Sequence, residues 1–369
     1  MQFVCNQSDL LNAVNIVTKA MPTRTSIPLI EGIRLKGEGG RLELFCTDLK
    51  LSIKSSITAN FEEAFSCVMP GKLFSEVVRR LPSDDVCITV TEANEGSYKV
   101  KIVCQDSRTT LTALDASEFP EATEAVDEAA IQISEGKLRS IIRQTVFAVA
   151  QDNTRPVFTG ELVELQDQKM NLVALDGFKF AMRTVMLDAP CAVRSCIVPG
   201  RALLEIMRIL DDSEEKVLLH VQGKNFMLQK GETRVMTRLL EGDFIRYEQI
   251  IPHDATTTAR VNVEALRAAI SRAELIAQDD RVNLVTLHFE PDVVIVTSNS
   301  QAGDVLERVA CIMQGQNLDI AFNIRYLSET LRALECEEVV LQMTTSVGAC
   351  VMKPADDAQF LYLVLPVQV

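Results

Sequence analysis

The chain has 369 residues, of which 47% are hydrophobic and 24% charged, and its formal net charge is −14. That composition describes a globular protein too long for one ordinary core, and the acidity argues against phosphate binding driven by Lys and Arg. No run of about eighteen apolar residues is present, which excludes a membrane-spanning helix, and the opening MQFVCNQSDLLNAV lacks the basic flank of a signal peptide.

Along the chain, a short strand (FVC) and a helix over 8–20 come first, then strands at about 32–38, 41–47 and 50–58. The pattern restarts with SCVMP, a helix over 71–81, and strands at about 86–92, 98–104 and 108–114. The strands are Val/Ile/Thr-rich runs bounded by Gly, Asn and Asp. This is βαβββ twice, an α+β domain with two helices packed on antiparallel sheets. The helix SDLLNAVNIVTKA recurs as EGKLRSIIRQTVFAVA and VEALRAAISRAELIA; Leu10, Leu138 and Leu266 are spaced by 128, as are Val14, Ile142 and Ile270. GKLFSEVVRRL recurs as GRALLEIMRIL and IRYLSETLRAL, with the triplets Lys72/Glu76/Arg79, Arg201/Glu205/Arg208 and Arg325/Glu329/Arg332. The acidic DASEFPEATEAVDEAA (115–130) and the Pro/Thr-rich IIPHDATTTA (250–259) read as linkers. One period shared by two markers predicts three repeated domains, 1–124, 125–252 and 253–369.

On the helix over 71–81, Phe74, Val78 and Leu81 form the apolar stripe that must face a sheet, while Lys72, Glu76 and Arg79 form a line toward solvent. Lys137, Arg139, Arg143, Arg267 and Arg272 add cations on the other repeated helix. Two readings follow: ordinary solvated faces, or a shared cationic surface that holds a polyanion without reading sequence. No aromatics interleave, so base stacking is not predicted.

Signatures of phosphate loops, dinucleotide sites, zinc proteases and serine hydrolases are all absent. His220, His253 and His288 are far apart, and Asp279–Asp280 and Asp356–Asp357 sit in loop-like stretches as solvated charges. Ten cysteines without a CxxC pair predict reduced, mostly buried thiols in a cytoplasmic protein, and Cys191 with Cys196 has no second pair to complete a metal site. No catalytic residue, metal or cofactor is predicted. From the residues alone, a repeat-built hydrolase or transferase with its site between domains stays open as the alternative.

RTSIPLIEGIRL, ELFCTDLKLSI, LVALDGFKFAM, CIVPGRALLEIMRILD, LLEGDFIRYEQIIP and FNIRYLSETLRAL, in this order and spacing, resemble the bacterial DNA polymerase III β-subunit family, the β sliding clamps, over the whole chain. The resemblance implies three DNA-clamp domains per protomer and a ring-forming, head-to-tail homodimer around duplex DNA, with the repeated helices lining the hole. A closed ring is held by topology, which reconciles an acidic chain with DNA. It implies a non-catalytic processivity factor for DNA replication. Its partners would be duplex DNA, the replicative polymerase catalytic subunit, the clamp loader, other clamp-binding repair proteins and a second copy of the chain, with no membrane.

By the same resemblance, DNA contacts would fall on Arg24, Lys72, Arg79, Gln151, Arg201 and Arg208, and the subunit interface would include Leu275 and Ile276. A peptide-binding groove between the second and third domains would use Arg155, Phe158, Leu175, Gly177, Phe178, Lys179, Phe180, Ile245, Gln249, Ile250 and Val347. The tail, Leu363, Val364, Leu365, Pro366, Val367, Gln368 and Val369, would complete it, docked as a strand. The family commonly has histidine and arginine at Phe178 and Lys179, arginine at Gln249, and a terminal Arg-Leu in place of Gln368-Val369. The rim is therefore expected to be more apolar and less basic.

Overall fold

The computed structural model describes residues 1–61, 63–94, 96–121, 130–277, 283–357 and 359–368. Val369, Asp279–Asp280, the 124/125 boundary and much of the 115–130 linker lie outside the described residues. Two compact units result: Met1–Glu135 with Arg208–Leu239, and Gly136–Met207 with Leu240–Val369.

Six helices are described: α1 (Gln7–Val17), α2 (Gly71–Arg80), α3 (Glu135–Thr145), α4 (Gly200–Ile209), α5 (Val263–Ala277) and α6 (Ile324–Ala333). Asn6 caps α1, its side-chain oxygen accepting from Ser8 N at 2.9 Å. The predicted helix over 8–20 ends in a 3-10 turn at Thr18–Ala20. The repeat markers are core residues: Leu10, Leu138 and Leu266, with Val14, Ile142 and Ile270, are all at most 1% exposed. On α2, Phe74 and Val78 are buried while Lys72 and Arg79 are exposed, as the periodicity requires.

The first unit carries a thirteen-stranded sheet. The strands match the Val/Ile/Thr runs, but their pairing differs from two self-contained βαβββ halves. Gln2–Asn6 pairs antiparallel with Asp85–Asn94 of the second half, and Phe65–Pro70 pairs with Gly32–Glu38 of the first. The halves exchange leading strands because each helix carries the chain back to the strands of its own half, leaving the leading strand beside those of the other. The same exchange recurs in the third repeat, where Thr257–Asn262 pairs with Glu338–Met343 and Leu318–Asn323 with Leu284–Glu290. Within the first unit, Leu51–Thr58 pairs antiparallel with Thr233–Arg238, so first-repeat and second-repeat strands share one sheet.

The second unit carries a ten-stranded sheet. Gly160–Leu175 and Lys179–Pro199 form a long hairpin, with a bulge at Asp167, whose φ is 53°. The C-terminal strand Phe360–Val364 is buried throughout and lies between Lys179–Arg183 and Cys350–Pro354. It thereby joins second-repeat to third-repeat strands. Leu327 and Leu331 of α6 pack with Leu266 and Ile270 of α5 in the core that contains Phe289, Phe322 and Tyr362.

Candidate functional site

Pairing of the C-terminal strand with the start of Lys179–Pro199 builds an apolar floor. Phe180 lies opposite Leu363, and Leu175 opposite Phe180 across the hairpin turn. Phe158, Leu175, Phe180 and Leu363 are all buried in one cluster with Tyr247, Val351 and Leu361. Phe158 meets Phe244 edge-on at 5.7 Å, and Phe180 meets Tyr247 at 5.8 Å. Tyr247 is held by a 2.6 Å hydrogen bond to Glu164, and burial, reinforced by that carboxylate, pushes its phenol well above the usual range.

The same segments also carry exposed apolar groups. Phe178 is 57% exposed, Val347 60%, Ile250 43%, Leu365 38% and Ile245 36%. Ile245 and Ile250 flank Tyr247 of this cluster in sequence, and Leu365 and Phe178 follow its strands; large hydrophobics left in water there require an explanation beyond folding. Arg155 is exposed, its guanidinium 5.6 Å from the Phe158 ring centre, and Gln249 is exposed on the Tyr247–Ile250 turn. After Val364 the tail stays tied down: Leu365 N donates to Phe178 O and Val367 N to Ala321 O, both at 2.8 Å. Pro366 and Val367 are half-buried and Gln368 is exposed. A hollow of about 490 Å³ opens beside the tail, lined by Thr286, Asp319, Ile320, Ala321, Ser346, Val347, Val367 and Gln368.

Phe178 and Lys179 follow a tight turn. Asp176 Oδ1 accepts from the N–H groups of both at 2.9 Å, and Gly177 has φ 96°, which glycine adopts without strain. Phe178 stacks on Tyr326 of α6, with ring centres 5.8 Å apart and planes at 20°. Lys179 departs from a rim position: it is 6% exposed. Its ammonium donates to Phe147 O at 2.7 Å and pairs with Glu329 of α6. Tyr326 and Glu329 were not anticipated here. Their signal was an aromatic in IRYLSETLRAL at the place where the other copies have Leu73 and Ala202.

The cationic positions sort differently. Arg24, Gln151, Arg201 and Arg208 are exposed, as are Lys72 and Arg79. Glu76 accepts from Arg79 and from Arg80, the expected intrahelical pairing. On α5 and α3, three of the added cations serve the fold, while Lys137 and Arg139 are exposed. Arg267 donates to Leu331 O at 2.9 Å and Leu334 O at 3.0 Å, capping α6, and Arg143 pairs with Glu335. Arg272 makes a two-pronged pair with Glu307, at 2.7 and 2.8 Å.

Leu275, in the last turn of α5, is 74% exposed, and Ile276 is half-buried. Among the strands with an unpaired side are 107–113, paired only with Ser97–Cys104, and 303–310, paired only with Val293–Ser300. Burial pushes the thiols of Cys5, Cys67, Cys196 and Cys350 up to about 12, so they behave as small apolar groups. Among the described residues, no three His, Cys, Asp or Glu side chains gather as a metal site. Asp357 pairs with Arg183, a bond the loop reading had not anticipated.

Family models of the DNA polymerase III β subunit match along the chain: the N-terminal domain at residues 1–123, the central domain at 132–245 and the C-terminal domain at 248–368. The beta sliding clamp of Bacillus subtilis strain 168 is 31% identical, over all of both chains. The crystal structure of the DNA polymerase sliding clamp from Bacillus subtilis superposes with a TM-score of 0.95 at 30% identity, covering 100% of this chain and 99% of that one. A Pseudomonas aeruginosa sliding clamp, solved bound to griselimycin, gives a TM-score of 0.92 at 26% identity over all of both chains. With its α+β repeats, exchanged strands and three successive domain matches, this chain belongs to the DNA polymerase III β-subunit family, the β sliding clamps.

Proposed function

We propose that the chain is a DNA sliding clamp, a cytoplasmic, non-catalytic processivity factor that surrounds duplex DNA and tethers the replicative polymerase. The observation that carries this reading is the match of all three clamp domain models in order along the chain. In this reading the clamp domains are 1–124, 125–252 and 253–369, and two protomers close head to tail. The unpaired sides of 107–113 and 303–310, with exposed Leu275 next to the latter's Arg272–Glu307 pair, support such a contact. Arg24, Lys72, Arg79, Gln151, Arg201 and Arg208 face the duplex. They are exposed, and a chain of net charge −14 needs topology rather than attraction to stay on DNA.

The exposed apolar set around Phe158 and Phe180 is read as the groove for short peptides of the polymerase, the clamp loader and repair proteins. Its buried floor and few polar groups suit an extended peptide with an apolar anchor. Encirclement is tested by loading the protein onto nicked circular DNA and then cutting the circle. Retention on the circle and loss from the linear form are expected; equal retention on both overturns the topological reading.

A further inference from the structure

The buried charge of Lys179 has no counterpart in the sister turn of the first unit. There Asp48 Oδ1 accepts from Lys50 N and Leu51 N at 2.9 and 2.7 Å, as Asp176 does from Phe178 and Lys179. The residue at the place of Lys179 is Leu51, 3% exposed. An apolar side chain therefore serves this backbone, and the fold does not demand a cation. Burying an ammonium is costly unless its partners are well placed. Here they come from the turn itself, from α6 and from Phe147: Phe147 O at 2.7 Å, Glu329 of α6, Asp176 at 3.8 Å, and the rings of Phe147 and Tyr326, each 5.5 Å away. Lys179 thus grips both the turn that carries Phe178 and the helix that carries Tyr326, on which Phe178 stacks.

We propose that Lys179 is a positioning residue for the groove. It clamps the Asp176–Lys179 turn to α6 through Glu329 and so holds Phe178 upright on Tyr326 as a preformed apolar wall for the partner peptide. The residue touches no peptide in this scheme. A long side chain such as Phe178, 57% exposed, gains little from burial by itself, so its posture must be set from behind. Glu329 also accepts from the exposed Arg325 at 3.1 Å, so the clamp's anion stays paired when Lys179 is replaced.

This proposal rests on the groove reading, and its test separates the two. The probe is a fluorescent peptide from the replicative polymerase catalytic subunit of the same organism, with affinity read by polarisation. Wild type must bind it and Leu365→Ala must weaken it; failure of both refutes the groove reading itself. Given binding, Lys179→Met is expected to weaken it about tenfold while the far-ultraviolet spectrum stays unchanged. In a Phe178→Ala background, Lys179→Met is expected to change affinity by less than about twofold, because the wall it supports is gone; a full further loss would assign Lys179 to the fold alone. The chain has no tryptophan, so Phe178→Trp supplies a single reporter. Lys179→Met in that protein is expected to raise acrylamide quenching about twofold. Unchanged quenching together with unchanged affinity would overturn the proposal.

Discussion

The two places where repeats share a sheet have nearly the same backbone and different chemistry. In the first unit, Leu51–Thr58 meets Thr233–Arg238, and Arg238 N donates to Lys50 O at 3.0 Å. In the second, the start of Lys179–Pro199 meets Phe360–Val364, and Leu365 N donates to Phe178 O at 2.8 Å. Both are entered through a 3-10 turn that starts with proline, Pro28–Glu31 or Pro156–Thr159, and then a glycine. Beneath the first junction's repeat lies a small closed cluster of Phe45, Val68, Ala116 and Phe119, with the Arg34 guanidinium 4.8 Å from the Phe45 ring centre. At the second, the larger cluster around Phe158 and Phe180 is left open at its rim. The backbone thus provides a junction, and side chains at a few positions decide whether it becomes a docking surface.

The strongest test of that shared backbone is the glycine that ends each 3-10 turn. A Cβ on Gly160 would sit 2.6 Å from Val198 O, and one on Gly32 would sit 2.8 Å from Met69 O. Neither carbonyl can yield without disturbing the ladder in which Gly160 faces Pro199 and Gly32 faces Pro70. Gly160→Ala and Gly32→Ala are each expected to cost about 2–3 kcal/mol, from overpacking. Calorimetry should show a fall of roughly 5–10 °C in the affected transition. A change under about a degree in either would mean that the two junctions are not built alike.

A middle-sized effect separates the same two regions by pH. Glu161 is fully buried where the first unit has Ile33, and it meets Thr145 at 2.8 Å where the first unit has Val17. Its second oxygen, Oε1, has no partner among the described residues. Burial pushes the carboxyl up to about 8 from an ordinary 4.5, with the Thr145 bond opposing. The folded protein therefore holds a proton that the unfolded chain releases, so stability falls as pH rises from about 4.5 through about 8. Glu161→Gln should flatten that decline and melt higher than wild type at alkaline pH. Parallel melting curves for the two proteins across this window would refute a neutral Glu161.

Much of this was legible from the chain. The α1, α3 and α5 markers and the α2, α4 and α6 stripes were visible because a 3.6-residue period repeated at a common spacing is a strong signal. The strand exchange was not, since alternation tells which face is buried and nothing about which strand lies alongside. Phe158, Leu175, Phe180 and the tail were singled out through family likeness; Phe158 sits in a 3-10 turn and Leu175 and Phe180 in strands, and nothing in their local pattern separates them from ordinary core residues. Arg267 read as one more cation on a repeated helix and Lys179 as a groove residue at the rim, because lysine and arginine are usually exposed. Their burial or capping role depends on Glu329 and on the carbonyls of Leu331 and Leu334, more than sixty residues away in sequence. The acceptors of a distant helix leave no trace beside the cation.

The smallest effect isolates the turn itself. Gly177 at φ 96° is unstrained, whereas Leu49, at the same step of the sister turn, has φ 72°, a region that costs a side-chain-bearing residue about 1 kcal/mol or more. Leu49 is 54% exposed, so burial returns little of that cost. Leu49→Gly relieves the strain but adds freedom to the unfolded chain, a loss of roughly 0.5–1 kcal/mol that offsets part of the gain. The net expectation is about 0.5 kcal/mol of stabilisation, read as a rise of roughly 1–2 °C in melting temperature. A fall instead would show that the Leu49 side chain holds the first junction closed, making the turn a site of packing in one unit and of access in the other.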